Sequence, residues 1–215
     1  MALEAKICGL KEPESIAAAV AGGADYLGFN FFPPSPRYLA PGLAASLAQR
    51  IPEGPTKVAL FVDPDDALLA EVLAQVPIDL IQLQGSETPR RVAEIRARFD
   101  KPVMKAVKIA TRADLDEASA FEAVADRMLF DAKAPKSMKN ALPGGNAIAF
   151  DWRLLAGRRW SRPWMLAGGL KAETLAEATE VSGARAVDVS SGVESAPGQK
   201  DPALIRAFLE TAKRL

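Results

Sequence analysis

Val58-Ala59-Leu60-Phe61-Val62-Asp63-Pro64-Asp65 leads into the pattern Asp66–Gln75 and then into Leu80-Ile81-Gln82-Leu83-Gln84, and this stretch decides the fold. The run Val58–Val62 is continuously apolar, as a strand covered on both faces must be. Asp65 stands where an N-cap belongs, and Asp66–Gln75 carries a helical pattern. Leu80–Leu83 is a second apolar run. A strand, a helix and a strand in close succession make a βαβ unit, whose strands are parallel and whose crossover is right-handed.

The same alternation extends to both ends of the chain. Further strands are predicted at Leu3–Cys8, Tyr26–Phe31, Val103–Val107, Met128–Phe130, Trp164–Ala167 and Ala186–Val189. Helices are predicted at Glu14–Ala21, Leu43–Arg50, Arg90–Phe99, Arg112–Ala120, Trp152–Leu155, Ala172–Val181 and Pro202–Lys213. Thr88 with Pro89 and Asp201 with Pro202 read as helix starts, and Gly22-Gly23 and Gly183 as exits. Eight strands alternating with eight helices fit a single α/β domain over residues 1–215, a (β/α)8 TIM barrel; an open doubly wound sheet accommodates the same order. Pro33-Pro34-Ser35-Pro36 is a rigid loop inside one unit.

Composition narrows the function. The 215 residues are 49% hydrophobic and 25% charged, with Lys+Arg and Asp+Glu balanced at 27 each. That balance gives no general attraction to nucleic acid or a membrane surface, so an anionic substrate needs a local site. The apolar runs are too short to span a bilayer. A lone cysteine offers neither an internal disulfide nor a zinc cluster, and the N-terminus lacks a signal-peptide layout, so the expected location is cytoplasmic. The chain has no histidine. Proton transfer near neutral pH then falls to carboxylates, a thiol, lysine or tyrosine. Cys8, in Lys6-Ile7-Cys8-Gly9, is a candidate thiolate base.

Barrel chemistry gathers where strands end. Those ends read Cys8, Asn30, Asp63, Gln82 with Gln84, Lys105 with Lys108, Asp131, Gly168-Gly169 and Ser190-Ser191-Gly192. Polar residues follow any strand as its loop begins, but so complete a ring marks a site. Small residues after strands seven and eight admit backbone N–H groups to an anion, so a phosphate site is expected there. Lys6 and Cys8 share a face, as do Asp188 and Ser190. In a closed barrel their strands are neighbours, so Lys6 and Asp188 are expected to pair beneath the site. The ammonium is then expected to lower the thiol from its free value of about 8.5. Asp131 closes an apolar strand, where burial raises a carboxyl toward the range of a proton donor. Arg37, in a proline-stiffened loop, has a fork suited to a carboxylate.

In this order and spacing, the motifs Lys6-Ile7-Cys8-Gly9, Gly23-Ala24-Asp25-Tyr26-Leu27-Gly28-Phe29, Ser35-Pro36-Arg37-Tyr38, Gln82-Leu83-Gln84-Gly85, Leu129-Phe130-Asp131-Ala132, Leu166-Ala167-Gly168-Gly169-Leu170 and Asp188-Val189-Ser190-Ser191-Gly192-Val193-Glu194 resemble the phosphoribosylanthranilate isomerase family along essentially the whole chain. The resemblance implies a (β/α)8 enzyme of tryptophan biosynthesis acting on a small-molecule phosphosugar, without metal or organic cofactor, as a monomer or homodimer. It implies Cys8 as general base, Asp131 as general acid and Arg37 on the anthranilate carboxylate. Gly168, Gly169, Asp188, Ser190, Ser191 and Gly192 are the other expected substrate-binding residues, the backbone of the glycines and serines holding the phosphate. Two departures stand out: Gln84 where many relatives have histidine, and Gly144-Gly145-Asn146-Ala147 where many have Gly-Gly-Thr-Gly. The loop from Ala132 to Ala149 is expected to close over substrate. Other readings are a different phosphate-handling barrel and a non-catalytic phosphosugar-binding domain.

Overall fold

In a computed structural model, which describes residues 3–135, 137–138 and 141–215, eight parallel strands close into a barrel. Met1 and Ala2 of the N-terminal stretch, and Lys136, Lys139 and Asn140 of the expected 132–149 lid, lie outside the described residues. The strands are β1 (Glu4–Cys8), β2 (Tyr26–Asn30), β3 (Thr56–Phe61), β4 (Leu80–Leu83), β5 (Val103–Ile109), β6 (Arg127–Ala132), β7 (Trp164–Leu166) and β8 (Ala186–Val189). The ring closes by pairing β1 with β8, in a register that sets Lys6 opposite Asp188. An open sheet is thereby excluded.

The helices are α1 (Pro13–Ala21), α2 (Pro41–Ala48), α3 (Asp66–Gln75), α4 (Pro89–Phe99), α5 (Arg112–Ala118), α6 (Leu175–Ser182) and α7 (Pro202–Lys213). The expected caps form. The Asp65 carboxylate accepts from Leu68 N, Thr88 Oγ1 from Arg91 N, and the Asp201 carboxylate from Ala203 N. The helix expected at Trp152–Leu155 is instead a single 3-10 turn, Trp152–Leu154. So short a segment has too few residues to offset the cost of nucleating an α-helix. The helix expected from Ala172 likewise opens with a 3-10 turn before α6.

The period of two divides each strand's side chains between two cores. Tyr26, Val58, Leu80, Met104, Ala106, Leu129, Met165, Ala167 and Ala186 fill the barrel interior. Phe29, Phe61 and Phe130 point outward and pack with helix residues such as Leu69, Ile95 and Phe208. Each such fully buried side chain stabilises the fold by about 1.5–3 kcal/mol. No helix among the described residues is long and apolar enough to cross a membrane. After β8 the chain forms a hairpin that sequence reading missed, β9 (Glu194–Ala196) with β10 (Gln199–Lys200). It is too short and too polar to show a strand period.

Candidate active site

At the C-terminal end of β1, Lys6 and Cys8 point inward together. Gly28 on β2 leaves the space they occupy: a Cβ there would stand 3.1 Å from both Cys8 Sγ and Lys6 Nζ. Lys6 is fully buried and donates to Asp188 Oδ1 at 2.8 Å. The pairing expected from parity is present. Burial opposes the Lys6 charge, but Asp188 and Cys8 beside it carry its pKa above the ordinary lysine value. The thiol departs from expectation. Burial pushes Cys8 up and Asp188 adds to the rise, outweighing the opposite pull of the Lys6 ammonium. The ammonium lowers the thiol as reasoned, but desolvation of the thiolate is the larger effect.

Asp131, at the end of β6, is buried and pushed up to about 7. Desolvation is the main cause and the Asp188 carboxylate adds to it, against stabilisation from Ala132 N–H, Lys108 and Gln84. The backbone N–H of Ala132 donates to Asp131 Oδ1 at 2.8 Å, and Gln84 Nε2 donates to Oδ2 at 3.0 Å. Gln84 Nε2 also reaches Pro143 O at 3.3 Å, so one amide ties the acid to the loop above it. Gln84 Oε1 accepts from Gln82 Nε2 at 2.7 Å. The carboxylate thus sets the direction of both amides, and Gln82 Oε1 is left buried with no partner among the described residues. Gly144 passes so close over this group that a Cβ would lie 2.9 Å from Gln84 Nε2 and 3.0 Å from Asp131 Oδ2.

Arg37 is buried, and its guanidinium is engaged as well as aimed inward. Nε and Nη2 donate to Glu194 Oε1 and Oε2, both at 2.8 Å, and Nη2 also donates to Gly145 O at 3.1 Å. Asn30 stiffens the loop that carries Arg37, donating from Nδ2 to Ser35 Oγ and accepting from Phe32 N. Cys8, Asn30, Arg37, Gln84, Asp131 and Gly144 line one pocket.

A second pocket adjoins the first and shares Asp131, Gly145, Asp188 and Ser190 with it. Its walls include Gly168, Gly169, Ser190, Ser191 and Gly192, the expected phosphate residues. Gly168 has φ +89 and Gly169 φ +65, a region that strains other residues. A Cβ on Gly168 would meet Ala132 N at 2.8 Å, against the strand that bears Asp131. Ser190 Oγ donates to Cys8 O at 3.2 Å, joining the two pockets.

Two members of the predicted polar ring serve elsewhere. Lys105 donates to Glu87 Oε2 at 2.6 Å and to Gly85 O at 2.7 Å, and Asp63 Oδ1 accepts from Ser86 N at 2.7 Å. Both hold the loop after β4. Sequence reading missed Glu194 and Lys200 as site residues, because they arrive on the unpredicted hairpin. The only available signal was Glu194 inside a quoted motif.

The family profile described as N-(5'phosphoribosyl)anthranilate (PRA) isomerase matches residues 5–211. The N-(5'-phosphoribosyl)anthranilate isomerase of Rhodospirillum centenum is 60% identical over 215 residues, the whole of both chains. The crystal structure of phosphoribosyl anthranilate isomerase from Thermotoga maritima superposes with a TM-score of 0.88 at 34% identity, covering 99% of this chain and 100% of that one. A structure of phosphoribosyl anthranilate isomerase in complex with reduced 1-(o-carboxyphenylamino)-1-deoxyribulose 5-phosphate has a TM-score of 0.85 at 32% identity, with the same coverage.

Proposed function

The chain belongs to the N-(5'-phosphoribosyl)anthranilate isomerase family, and from that premise we propose that Cys8 is the general base and Asp131 the general acid of its reaction. The activity is phosphoribosylanthranilate isomerisation in tryptophan biosynthesis. It turns the aminoaldose N-(5-phosphoribosyl)anthranilate into the aminoketose 1-(2-carboxyphenylamino)-1-deoxyribulose 5-phosphate, an Amadori rearrangement.

One observation carries the assignment of roles. A carboxyl raised to about 7 and the chain's lone thiol line the same pocket. Asp131 gives its proton to the ribose ring oxygen, and the ring opens to a protonated Schiff base. That cation acidifies the proton on sugar C2. Cys8 thiolate removes it, forming an enolamine, which tautomerises to the ketone. The productive form holds a proton on Asp131 and negative charge on Cys8. Because the thiol is the weaker acid, this form is a minority between the two titrations, and the pair titrates with two apparent values. Each group contributes about 10²–10⁴-fold. Arg37 receives the anthranilate carboxylate, and the backbone around Gly168, Gly169, Ser190, Ser191 and Gly192 receives the phosphate. Asp188 holds Lys6 beside the thiol and borders both pockets. Residues 1–215 work as one domain, in the cytoplasm.

The test is the fluorescence decay of freshly made N-(5-phosphoribosyl)anthranilate with chelator present. Parent protein is expected to remove the signal rapidly, while Cys8→Ala and Asp131→Asn lose kcat with little change in KM. Arg37→Ala is expected mainly to raise KM. Near-parent kcat in both Cys8→Ala and Asp131→Asn would refute the assignment.

A further inference from the structure

Arg37 has a difficulty as an anion receptor. Glu194 grips it with two parallel hydrogen bonds, and a carboxylate so matched to a guanidinium cancels its charge. A neutral pair holds a substrate carboxylate poorly in a buried site, because the anion loses its water without gaining a counter-charge.

Lys200 on β10 resolves this. Its side chain is fully buried, and Nζ lies 2.7 Å from Glu194 Oε1, 2.9 Å from Ser190 O and 3.2 Å from Ser190 Oγ. Ser190 Oγ spends its own proton on Cys8 O, so it accepts from Lys200. Three acceptors use three N–H bonds, which only an ammonium has. Glu194 therefore lies between two cations, with Gly198 N adding a fourth donor at 3.3 Å. Two positive groups and one negative leave a single net positive charge. It can be offered at Arg37 Nη1, which has no hydrogen-bond partner among the described residues. Gly145 leaves the space beside that nitrogen free: a Cβ there would stand 2.5 Å from it.

We propose that Lys200 is a positioning residue that neutralises Glu194 and so leaves the charge of Arg37 free for the substrate's carboxylate. Glu194 aims the fork, and Lys200 keeps it cationic. The inference rests on the reading of Arg37 as the carboxylate receptor.

The experiment measures KM, kcat and the affinity of two probes by titration calorimetry. One probe is reduced 1-(o-carboxyphenylamino)-1-deoxyribulose 5-phosphate, and the other is its counterpart lacking the carboxyl group. Lys200→Met should weaken the first probe and raise KM by roughly thirtyfold to a thousandfold, as loss of one partner in a buried charge cluster does. The second probe, which feels only the lost Lys200 bonds to Ser190, should weaken far less than the first. Glu194→Gln alone should bind the carboxylated probe at least as well as the parent, and adding Glu194→Gln to Lys200→Met should restore binding. Opposite signs separate charge balance from a mere strut, in which every truncation weakens binding. Equal weakening of both probes, or no rescue by Glu194→Gln, would overturn the proposal. If Lys200→Met does not fold, as judged by circular dichroism, the Glu194→Gln single variant decides: weaker binding overturns it. Unchanged KM and carboxylated-probe affinity in Arg37→Ala would instead remove the underlying reading of Arg37.

Discussion

Replacing Asp131 by asparagine should make the protein more stable at pH 8 while it loses activity. The carboxyl is pushed from its usual 3.8 to about 7. The native state therefore holds this proton more tightly than the unfolded chain does. Stability from this group is present in full below the unfolded value and is lost as pH rises through about 7. A displacement of about three units at 1.36 kcal/mol each is about 4 kcal/mol of destabilisation once the buried carboxylate is charged. Asparagine keeps an oxygen to accept from Ala132 N–H and carries no charge at any pH, so it avoids that cost; its Nδ2 faces Gln84, whose amide turns over with that of Gln82 to accept from it, which gives Gln82 Oε1 the donor it lacks. The assay is urea unfolding of parent and Asp131→Asn at pH 4, 6 and 8. The difference between them should be near zero at pH 4 and grow to about 4 kcal/mol at pH 8. In a chain of this size that corresponds to a melting temperature higher by roughly 10 °C. A difference that does not change with pH, or a variant less stable than the parent at pH 8, would refute the reasoning. The desolvated acid is then a case of stability given up for a function.

Other outcomes follow from the same geometry. The pH profile of kcat/KM should rise up to about 7, level off and fall above the ordinary thiol range, while the residual activity of Asp131→Asn should go on rising with the thiolate and show no alkaline fall; a flat profile from pH 5 to 7 counts against the pair. Lys6→Met removes the main influence that lowers the thiol and leaves Asp188 unpaired, so alkylation of Cys8 by iodoacetamide at pH 8 should slow severalfold; equal rates would show no coupling. Gly144→Ala puts a methyl group against Gln84 and Asp131, and the overpacking should lower the unfolding free energy by about 1–3 kcal/mol and, by displacing the acid, lower kcat/KM as well; parent values of both would show that the contact is not tight. Lys105→Met strands Glu87, which is 1% exposed at its side chain, and should destabilise the fold by about 3–5 kcal/mol in urea unfolding while the folded fraction still turns over substrate.

What the amino-acid sequence determined by itself was order and periodicity. Continuous apolar runs, capped helical patterns and a period of two within strands are local properties, so the eight strands and the faces of Lys6 and Asp188 were legible in the chain, while the choice of a closed barrel over an open sheet was settled by the pairing of β1 with β8. Cys8, Asp131, Gly168 and Ser190 were legible because strand ends collect at one rim in this fold. Their surroundings were not legible, since burial, charge and hydrogen bonding at that rim are sums over elements distant in the chain. Only the tertiary structure decided that desolvation outweighs the Lys6 ammonium at Cys8, that Gln84 joins Asp131 to the loop at Pro143, and that Glu194 and Lys200 enter the site on a hairpin too short to carry a period. Thiol and carboxyl titration depends on what excludes water from them. That exclusion exists only once strands from opposite ends of the chain have closed on one another.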